Sequence, residues 1–140
     1  MKHFAFQCSS TQFLNINIDN FVFLWVGIGI GTGIIVDKKL LKGNSYSAGE
    51  FGRMTMFCSG DPEIYTDSEN LEAYASNRAT IKRYNMLQKK TNNSKIESKI
   101  NKIIQKAKKE DANAITALKK TGSYLGIGVS NIIKTIDIPK

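Results

Sequence analysis

The feature that most constrains the fold of this sequence is a run in which glycine occupies every second position. The glycines are Gly27, Gly29, Gly31 and Gly33. An apolar run, Phe21–Val26, precedes them, and a second apolar run at 34–36 follows. The polar turn at 37–39 then leads to the apolar pair Leu40-Leu41. Strand-length apolar segments joined by a short polar turn predict a β-hairpin.

Repeated glycine within a strand indicates a bulge or a close approach by a ligand or another backbone, because glycine otherwise weakens a strand. Without Cβ atoms, the main-chain N–H groups can approach an anion, of which phosphate is the usual one. A strand rather than a helix follows these glycines, which excludes a dinucleotide-binding fingerprint, and the Gly-Lys-Ser/Thr of a Walker loop is missing. Close packing of the strand under a neighbour is the alternative interpretation.

After the hairpin, the sequence predicts a short third strand at 54–57 and then three helices. The first helix is expected to open at Ser68, with Asp67 or Ser68 as its N-cap. The second helix carries isoleucines on one face and lysines on the other, which is typical of an amphipathic surface helix.

The last helix is expected to open at Glu110-Asp111 and to face the core with a long apolar stripe at spacings of three and four. The stripe comprises Ile115, Leu118, Gly122, Leu125, Val129, Ile132 and Ile136. Gly122 and Gly126 lie one turn apart, and glycine within a helix costs about 1 kcal/mol relative to alanine. This cost predicts that another backbone packs closely at these two positions.

The chain has 140 residues and a formal net charge of +8, and most of the excess positive charge lies between Lys82 and Lys120. Its length predicts one domain. Such a basic segment either binds nucleic acid or forms solvated helix faces, and the scarcity of arginine and aromatic residues favours solvated faces. Two distant cysteines, Cys8 and Cys58, indicate a reducing compartment, and no signal peptide or membrane span is evident. We therefore expect a cytoplasmic protein without a membrane partner.

Four blocks follow one another in an order and at a spacing that indicate a known family. The first is GIGIGTGIIVDKKLLKG from Gly27, and the second is AGEFGRM from Ala48. The third is NLEAYAS from Asn70, and the fourth is YLGIGVSNII from Tyr124. Together they resemble the hairpin, the Ala-Gly-Glu segment, the end of the zinc segment and the late helix of the ROK family of sugar kinases and sugar-responsive repressors. The resemblance extends over roughly 19–139.

The resemblance implies an α/β fold of the actin-like ATPase (ribonuclease H-like) type. ROK proteins are much longer than this chain, so we expect a partial lobe: a glycine-rich hairpin and a short third strand followed by three helices. We assign residues 19–140 to this lobe and leave 1–18 unassigned. The family's amino-terminal lobe and the aspartate that its kinases use as general base fall outside the resemblance. We therefore assign no catalytic residue and expect no phosphoryl transfer by this chain alone.

The resemblance also places a vestigial phosphate site on the hairpin and two sugar ligands on later acids. The phosphate site comprises Gly27, Gly29, Gly31, Thr32 and Gly33. Glu50, in a loop of small residues, would accept hydrogen bonds from sugar hydroxyls, and the alternative is an exposed loop acid. Glu72 falls on a second family sugar ligand, and the alternative is an acid that suits the first turn of a helix. Ile28 replaces the kinases' phosphate-contacting threonine, so ATP binding is doubtful.

The family's zinc ligands, one histidine and three cysteines, fall on residues that cannot supply imidazole or thiolate. These positions are Arg53, Glu63, Tyr65 and Asn70. We therefore predict that zinc is lost, that no metal site is left and that no cofactor is bound. Since the same family histidine contacts the sugar, Arg53 alters the sugar site as well.

These features predict a fragment of a ROK transcriptional regulator that binds a small sugar, such as xylose or N-acetylglucosamine, weakly. Ile28 and the block from Asn70 favour a regulator over a kinase. DNA would be contacted by a separate helix-turn-helix domain and not by this chain, and an uncovered stripe on the last helix predicts a homo-oligomer. The alternative is a remnant of an ATP-dependent, glucokinase-like ROK sugar kinase. A degenerate gene product without activity is a third interpretation.

Overall fold

The computed structural model describes residues 18–56, 69–88 and 96–137, which form three strands and four helices. The strands are β1 (Phe21–Val26), β2 (Ile30–Val36) and β3 (Lys39–Leu40). The helices are α1 (Leu71–Ala75), α2 (Asn77–Leu87), α3 (Ile96–Lys108) and α4 (Ala112–Ile136), and a 3-10 turn covers Phe51–Arg53. Within these ranges, no helix has both the length and the apolar character needed to cross a membrane.

The three strands form an antiparallel sheet in the order β1-β2-β3, in which β2 is central. The turn Asp37-Lys38 joins β2 to β3, and both residues have positive φ, 49° and 61°. Positive φ at both positions is the type I′ geometry, whose twist matches that of the flanking strands. The predicted glycine-rich hairpin is therefore present, and the polar turn adds a second hairpin to it.

The short third strand lies at Lys39–Leu40 and not at the predicted 54–57. The predicted segment instead makes one isolated β-bridge, between Thr55 and Asn70. Pairing ends there because Asn70 is the N-cap of a helix that begins at the next residue. The last residue of the predicted strand lies outside the described ranges.

Four helices replace the predicted three because Ser76 interrupts the first of them. Ser76 has an extended backbone, with φ −70° and ψ 165°, and its Oγ accepts a hydrogen bond of 3.2 Å from the Ala79 N–H. It therefore ends α1 and caps α2. Asn70 caps α1, whereas the predicted start at 67–68 lies outside the described residues. Asp111 caps α4, as predicted from the sequence.

Two apolar clusters form the core of the described structure. The first joins α2, α3 and α4 through Ile81, Tyr84, Ile100, Ile103, Ala114 and Ala117. The second joins the sheet to α1 through Ile30, Leu71 and Ala75, and Tyr124 and Leu125 of α4 pack against it. This second cluster fixes the glycine-rich strand β2 against the helices that follow it.

α4 buries a line of small residues that lies one position away from most of the predicted stripe. The buried residues are Ala114, Ala117, Thr121, Gly128 and Ile132. Of the predicted stripe, only Ile132 is fully buried, while Val129 is 38% exposed. α4 turns small residues toward α2 because the Thr80 and Thr121 hydroxyls form a buried hydrogen bond of 2.7 Å between the two helices. The stripe predicted from large apolar residues is therefore wrong in part.

Arg83 joins three helices through its guanidinium. One nitrogen donates to the Thr121 hydroxyl of α4 over 2.8 Å, and another donates to the Tyr74 carbonyl of α1 over 2.8 Å. The guanidinium also lies 5.4 Å from the centre of the Tyr124 ring. Burial lowers the pKa of Arg83 below its ordinary value, and the neighbouring Tyr124 raises it in part. The network holds α1, and therefore the acid that α1 carries, against α4.

Gly122 and Gly126 do not have the predicted close packing, since no described atom lies within 4 Å of a Cβ built on either residue. The close contact is at Gly128, where a Cβ would lie 2.6 Å from a methyl carbon of Leu71. α1 thus packs against α4 at Gly128, and the face that carries the other two glycines is open.

Replacing Gly122 or Gly126 with alanine is therefore expected to stabilise the chain by about 1 kcal/mol per substitution. The added methyl group meets open space in the described structure, and alanine has the higher helix propensity. Urea unfolding monitored by circular dichroism measures the change. A loss of stability in either variant would contradict the expectation and would show that another molecule or segment covers this face.

Candidate functional site

The candidate site is built around the first residue of β2. The Ile30 N–H donates a 2.8 Å hydrogen bond to the Glu72 carboxylate, which lies 42 residues further along the chain. A Cβ on Gly29 would lie 2.5 Å from the same carboxylate oxygen, so glycine is required there for Glu72 to reach the strand. Gly29 and Glu72, which the sequence assigned to separate phosphate and sugar sites, therefore lie in direct contact.

The loop that carries Glu50 packs against the same strand. The Thr32 hydroxyl donates a hydrogen bond to the Gly49 carbonyl. Gly49 has φ 86°, and a Cβ there would lie 2.9 Å from the Thr32 carbonyl oxygen, so its conformation and its surroundings both require glycine. Thr32 therefore holds the Glu50 loop against β2, and its phosphate contact stays a prediction.

Glu50 itself is exposed, and its carboxylate lies 3.5 Å from Nε of Arg53. Both side chains are mostly exposed, so the ion pair contributes little to stability. The ion pair holds the predicted sugar ligand Glu50 close to Arg53, the residue predicted to replace a histidine of the zinc segment.

A cleft of about 380 Å³ opens where four parts of the fold meet. They are the glycine-rich turn between β1 and β2, the 3-10 turn and the helices α1 and α2. Its lining consists of Ile28, Arg53, Asn70, Glu72, Ala73, Ser76, Arg78, Ala79 and Lys82. The volume is in the lower part of the range found for small-molecule sites. Glu72 lines the cleft directly, whereas Glu50 reaches it only through Arg53.

Arg78 and Lys82 are the charged residues of the cleft that the sequence did not indicate as site residues. They stand four positions apart on α2, which places them on one face of the helix. That spacing is a signal the sequence carries, but lysine and arginine at four-residue intervals are also ordinary on solvated helices. Only the fold shows that this face of α2 turns toward the hairpin.

The four alternating glycines have different surroundings. A Cβ on Gly27 would lie 2.6 Å from the Trp25 ring nitrogen, whereas a Cβ on Gly31 would meet no described atom within 4 Å. The Gly27 carbonyl accepts a 2.8 Å hydrogen bond from the N–H of Asn77, at the start of α2. Gly27 and Gly29 thus have side chains packed close to them, and phosphate approach stays a prediction for all four glycines.

Of the four positions predicted to replace zinc ligands, the structure describes Arg53 and Asn70. Among the described residues, no group of histidine, cysteine, aspartate and glutamate side chains is arranged to hold a metal ion. Asn70 uses its side-chain oxygen to cap α1, accepting from the Ala73 N–H over 2.9 Å. Positions 63 and 65 lie outside the described ranges, so the loss of zinc stays a prediction.

A family model for the ROK family matches residues 5–140 of the chain. The chain belongs to the ROK family. It is 33% identical to a xylose repressor of Bacillus subtilis over 121 residues and 32% identical to a xylose repressor of Bacillus spizizenii over 121 residues. Each alignment covers 86% of this chain and 30% of the relative, so the chain spans less than a third of the length of these xylose repressors.

Solved ROK structures share the fold. A ROK protein from Streptococcus pneumoniae in complex with sucrose matches 91% of this chain and 41% of its own, with a TM-score of 0.74 and 24% identity. A ROK glucokinase from Streptomyces griseus in complex with glucose and AMPPNP matches 85% of this chain and 42% of its own, with a TM-score of 0.70 and 22% identity. The predicted α/β fold of the actin-like ATPase type is confirmed.

Proposed function

We propose that this chain is the sugar-sensing part of a ROK transcriptional regulator, with DNA contacted by a helix-turn-helix domain outside these residues. The relatives at 32–33% identity are named xylose repressors. The observation that carries the proposal is the Glu72 carboxylate, fixed by the Ile30 N–H on the wall of a cleft of small-molecule size. Residues 19–140 would form this partial lobe, with 1–18 outside it.

Glu72 would bind the sugar as a hydrogen-bond acceptor. A carboxylate offers about four lone-pair sites, and the Ile30 N–H occupies one of them, so sugar hydroxyls can donate to the others. The hydrogen bond to Ile30 also keeps the carboxylate in one orientation, which reduces the entropy lost when a ligand binds. Glu50 would support the same site through its ion pair with Arg53.

The site is physically connected to the hairpin turn, which offers a route for a response to the ligand. Glu72 lies on α1, the Asn77 N–H of α2 bonds to Gly27, and the two helices meet at Ser76. A ligand that shifts either helix relative to the other therefore also displaces the turn. We propose this movement as the signal that the intact regulator transmits to its DNA-binding domain.

Kinase activity is the second candidate, and the likeness to the Streptomyces griseus ROK glucokinase favours it. We propose instead that the chain is not an enzyme. Ile28 stands where the kinases have the phosphate-contacting threonine, and its side chain is 44% exposed beside the cleft. An isoleucine side chain has no hydroxyl to donate to a phosphate, so the hairpin lacks one of the contacts that phosphoryl transfer uses.

We propose a small sugar and a second copy of the chain as partners, without a metal or ATP. Self-association is supported by two exposed apolar residues that lie one turn apart on α4, Val129 and Ile133. Exposed apolar patches commonly mark interaction surfaces.

Replacing Glu72 with glutamine is expected to weaken sugar binding by about 1–1.5 kcal/mol for each hydroxyl that donates to it, because a hydrogen bond to a charged acceptor becomes a neutral one. The glutamine carbonyl can still accept from Ile30, so the fold should be retained. Calorimetric titration with xylose and with N-acetylglucosamine measures the effect. Glu50→Gln should cost less, since Glu50 acts through Arg53.

Glu110→Gln is the matched control, because Glu110 is an exposed acid in the turn between α3 and α4. It should bind both sugars as the unaltered chain does. If Glu72→Gln also binds them as tightly as the unaltered chain, Glu72 does not belong to the site and the proposal fails.

A further inference from the structure

The short helix α1 is held from two opposite sides. Glu72 and Tyr74 stand two positions apart on it, which places their side chains about 200° apart around the helix axis. On one side, the Glu72 carboxylate accepts the hydrogen bond from the Ile30 N–H of β2. On the other side, the Tyr74 ring packs against the Tyr124 ring of α4, with 5.0 Å between the ring centres. α1 therefore lies between the glycine-rich strand and α4.

Arg83 of α2 secures the side of α1 that faces α4. Its guanidinium donates from one nitrogen to the Tyr74 carbonyl and from another to the Thr121 hydroxyl, each over 2.8 Å. The Tyr74 carbonyl lies in the last turn of α1, where backbone acceptors lack a partner within the helix and a positive charge is favourable. Since α1 has five residues, contacts of this kind must keep it in place.

Stability alone does not account for an arginine at this position. Among the described residues, no carboxylate forms an ion pair with Arg83, and the acceptors of its hydrogen bonds are carbonyls and a hydroxyl. A half-buried charge that is offset by neutral groups is costly, and an apolar side chain of similar volume often stabilises a fold as well or better. What arginine adds is a rigid fork that reaches acceptors on two helices at once.

We propose that Arg83 is a positioning residue of the candidate site, which holds α1 from the side opposite Glu72 and thereby keeps the Glu72 carboxylate on the Ile30 N–H. The inference rests on the proposed sugar-sensing function and adds to it a residue that does not line the cleft. Arg83 acts through α1: when its hydrogen bonds are lost, α1 can turn away from β2, and the carboxylate then leaves the strand.

Hydrogen exchange of the Ile30 amide, measured by NMR on the isotope-labelled chain without sugar, reports this hydrogen bond directly. We expect Arg83→Met to speed the exchange by about tenfold, as the loss of one or two hydrogen bonds would do. The Leu41 amide, which donates to the Ile34 carbonyl over 2.8 Å in the same sheet, is the internal reference and should change little. An equal acceleration at both amides would show a general loss of stability and would overturn the positioning role.

Two further variants separate geometry from charge. Arg83→Lys keeps the charge but lacks the fork, so it should also speed the Ile30 exchange, by about threefold, and it decides the question if Arg83→Met does not fold. Lys120→Met is the matched control, because the Lys120 ammonium lies 5.2 Å from the centre of the same Tyr124 ring, on an exposed side chain. It should leave the Ile30 exchange unchanged. Unaltered exchange in Arg83→Lys, or equal acceleration in Lys120→Met, would overturn the inference.

Calorimetric titration of the same chains with xylose and N-acetylglucosamine separates this inference from the proposed function. Faster Ile30 exchange in Arg83→Met together with about tenfold weaker sugar binding would support both. Sugar binding that is sensitive to Glu72→Gln, with Ile30 exchange unchanged in Arg83→Met, would overturn the role of Arg83 and leave the sugar-sensing function standing. Faster Ile30 exchange in Arg83→Met, with sugar binding insensitive to Glu72→Gln, would support the positioning of Glu72 and overturn the sugar-sensing function.

Discussion

Replacing Gly52 with alanine is expected to destabilise the fold by about 3 kcal/mol or more, at the upper end of what overpacking a core costs. Gly52 is buried in the 3-10 turn, and a Cβ built on it would lie 2.2 Å from the Ile30 carbonyl oxygen and 3.3 Å from the Ile30 Cβ. A backbone oxygen in the sheet cannot rotate away as a side chain can. The strand and the turn would have to separate.

Urea unfolding with Gly31→Ala as the matched control tests this expectation. Gly31 lies on β2 directly after Ile30, the residue that Gly52 contacts. A Cβ on Gly31 meets no described atom within 4 Å, so the control should be neutral or slightly stabilising. The loss of the β2 contact should also free Arg53 and weaken any ligand binding in the cleft. If Gly52→Ala unfolds at the same urea concentration as the unaltered chain, the contact between the 3-10 turn and β2 is not as close as described.

Leu71→Ala is expected to cost about 3 kcal/mol, within the range for removing a buried leucine side chain. Leu71 is 0% exposed and belongs to the cluster that joins β2, α1 and α4. A Cβ on Gly128 would lie 2.6 and 2.9 Å from its two methyl carbons. Gly128→Ala alone should therefore destabilise the chain as well, despite the better helix propensity of alanine.

The double variant, Leu71→Ala with Gly128→Ala, should be less destabilised than the sum of the two single losses, by about 1 kcal/mol or more. The reason is that the methyl group added at position 128 occupies space that the shortened side chain at position 71 leaves empty. Denaturant unfolding of the four chains of this cycle gives the coupling energy. Pairing Leu71→Ala with Gly122→Ala provides the control, since Gly122 is open and the two effects should add. Simple additivity in the Leu71–Gly128 pair would show that α1 and α4 do not meet there.

The hairpin could be predicted from the sequence because its signals are local. Apolar runs, glycines and a polar turn follow one another within a short stretch, and the structure forms strands there. The third strand was misplaced because the segment 54–57 has strand-like composition but pairs with the residues that lead into α1. Helix capping at Asn70 limits that pairing to one bridge, and the sequence signal does not reveal such competition.

The helical region shows a different limit. The residues on both sides of Ser76 have an apolar pattern that favours a helix, and a serine can either continue a helix or cap one. The sequence therefore does not show that the helix breaks there. α4 packs through the small residues Ala114, Ala117 and Thr121. The predicted stripe was chosen from large apolar residues, so at these turns of the helix it lies one position further along the chain. Small residues are buried where helices approach closely, and sequence periodicity alone does not show which face approaches.

The candidate site was predictable only where family resemblance supplied residues. Glu72 was identified in this way, and its contact with Gly29 and Ile30 required the fold, because 42 residues separate the hydrogen-bonded pair Ile30 and Glu72. The cations Arg78 and Lys82 have no motif of their own. Their relation to Glu72 depends on the bend at Ser76, which directs α2 along the cleft.

The two strands that flank β2 differ greatly in length. β1 contributes six residues, about 20 Å of extended chain, and pairs with β2 from Ile30 to Ile35, whereas β3 contributes two residues and pairs only with Ile35 and Val36. Before Ile35, β2 therefore has one described strand beside it, and single contacts adjoin this stretch, from Glu72 to the Ile30 N–H and from Gly49 to the Thr32 hydroxyl. A displacement of α1 or of the Glu50 loop would thus reach the sheet through individual hydrogen bonds and not through a ladder.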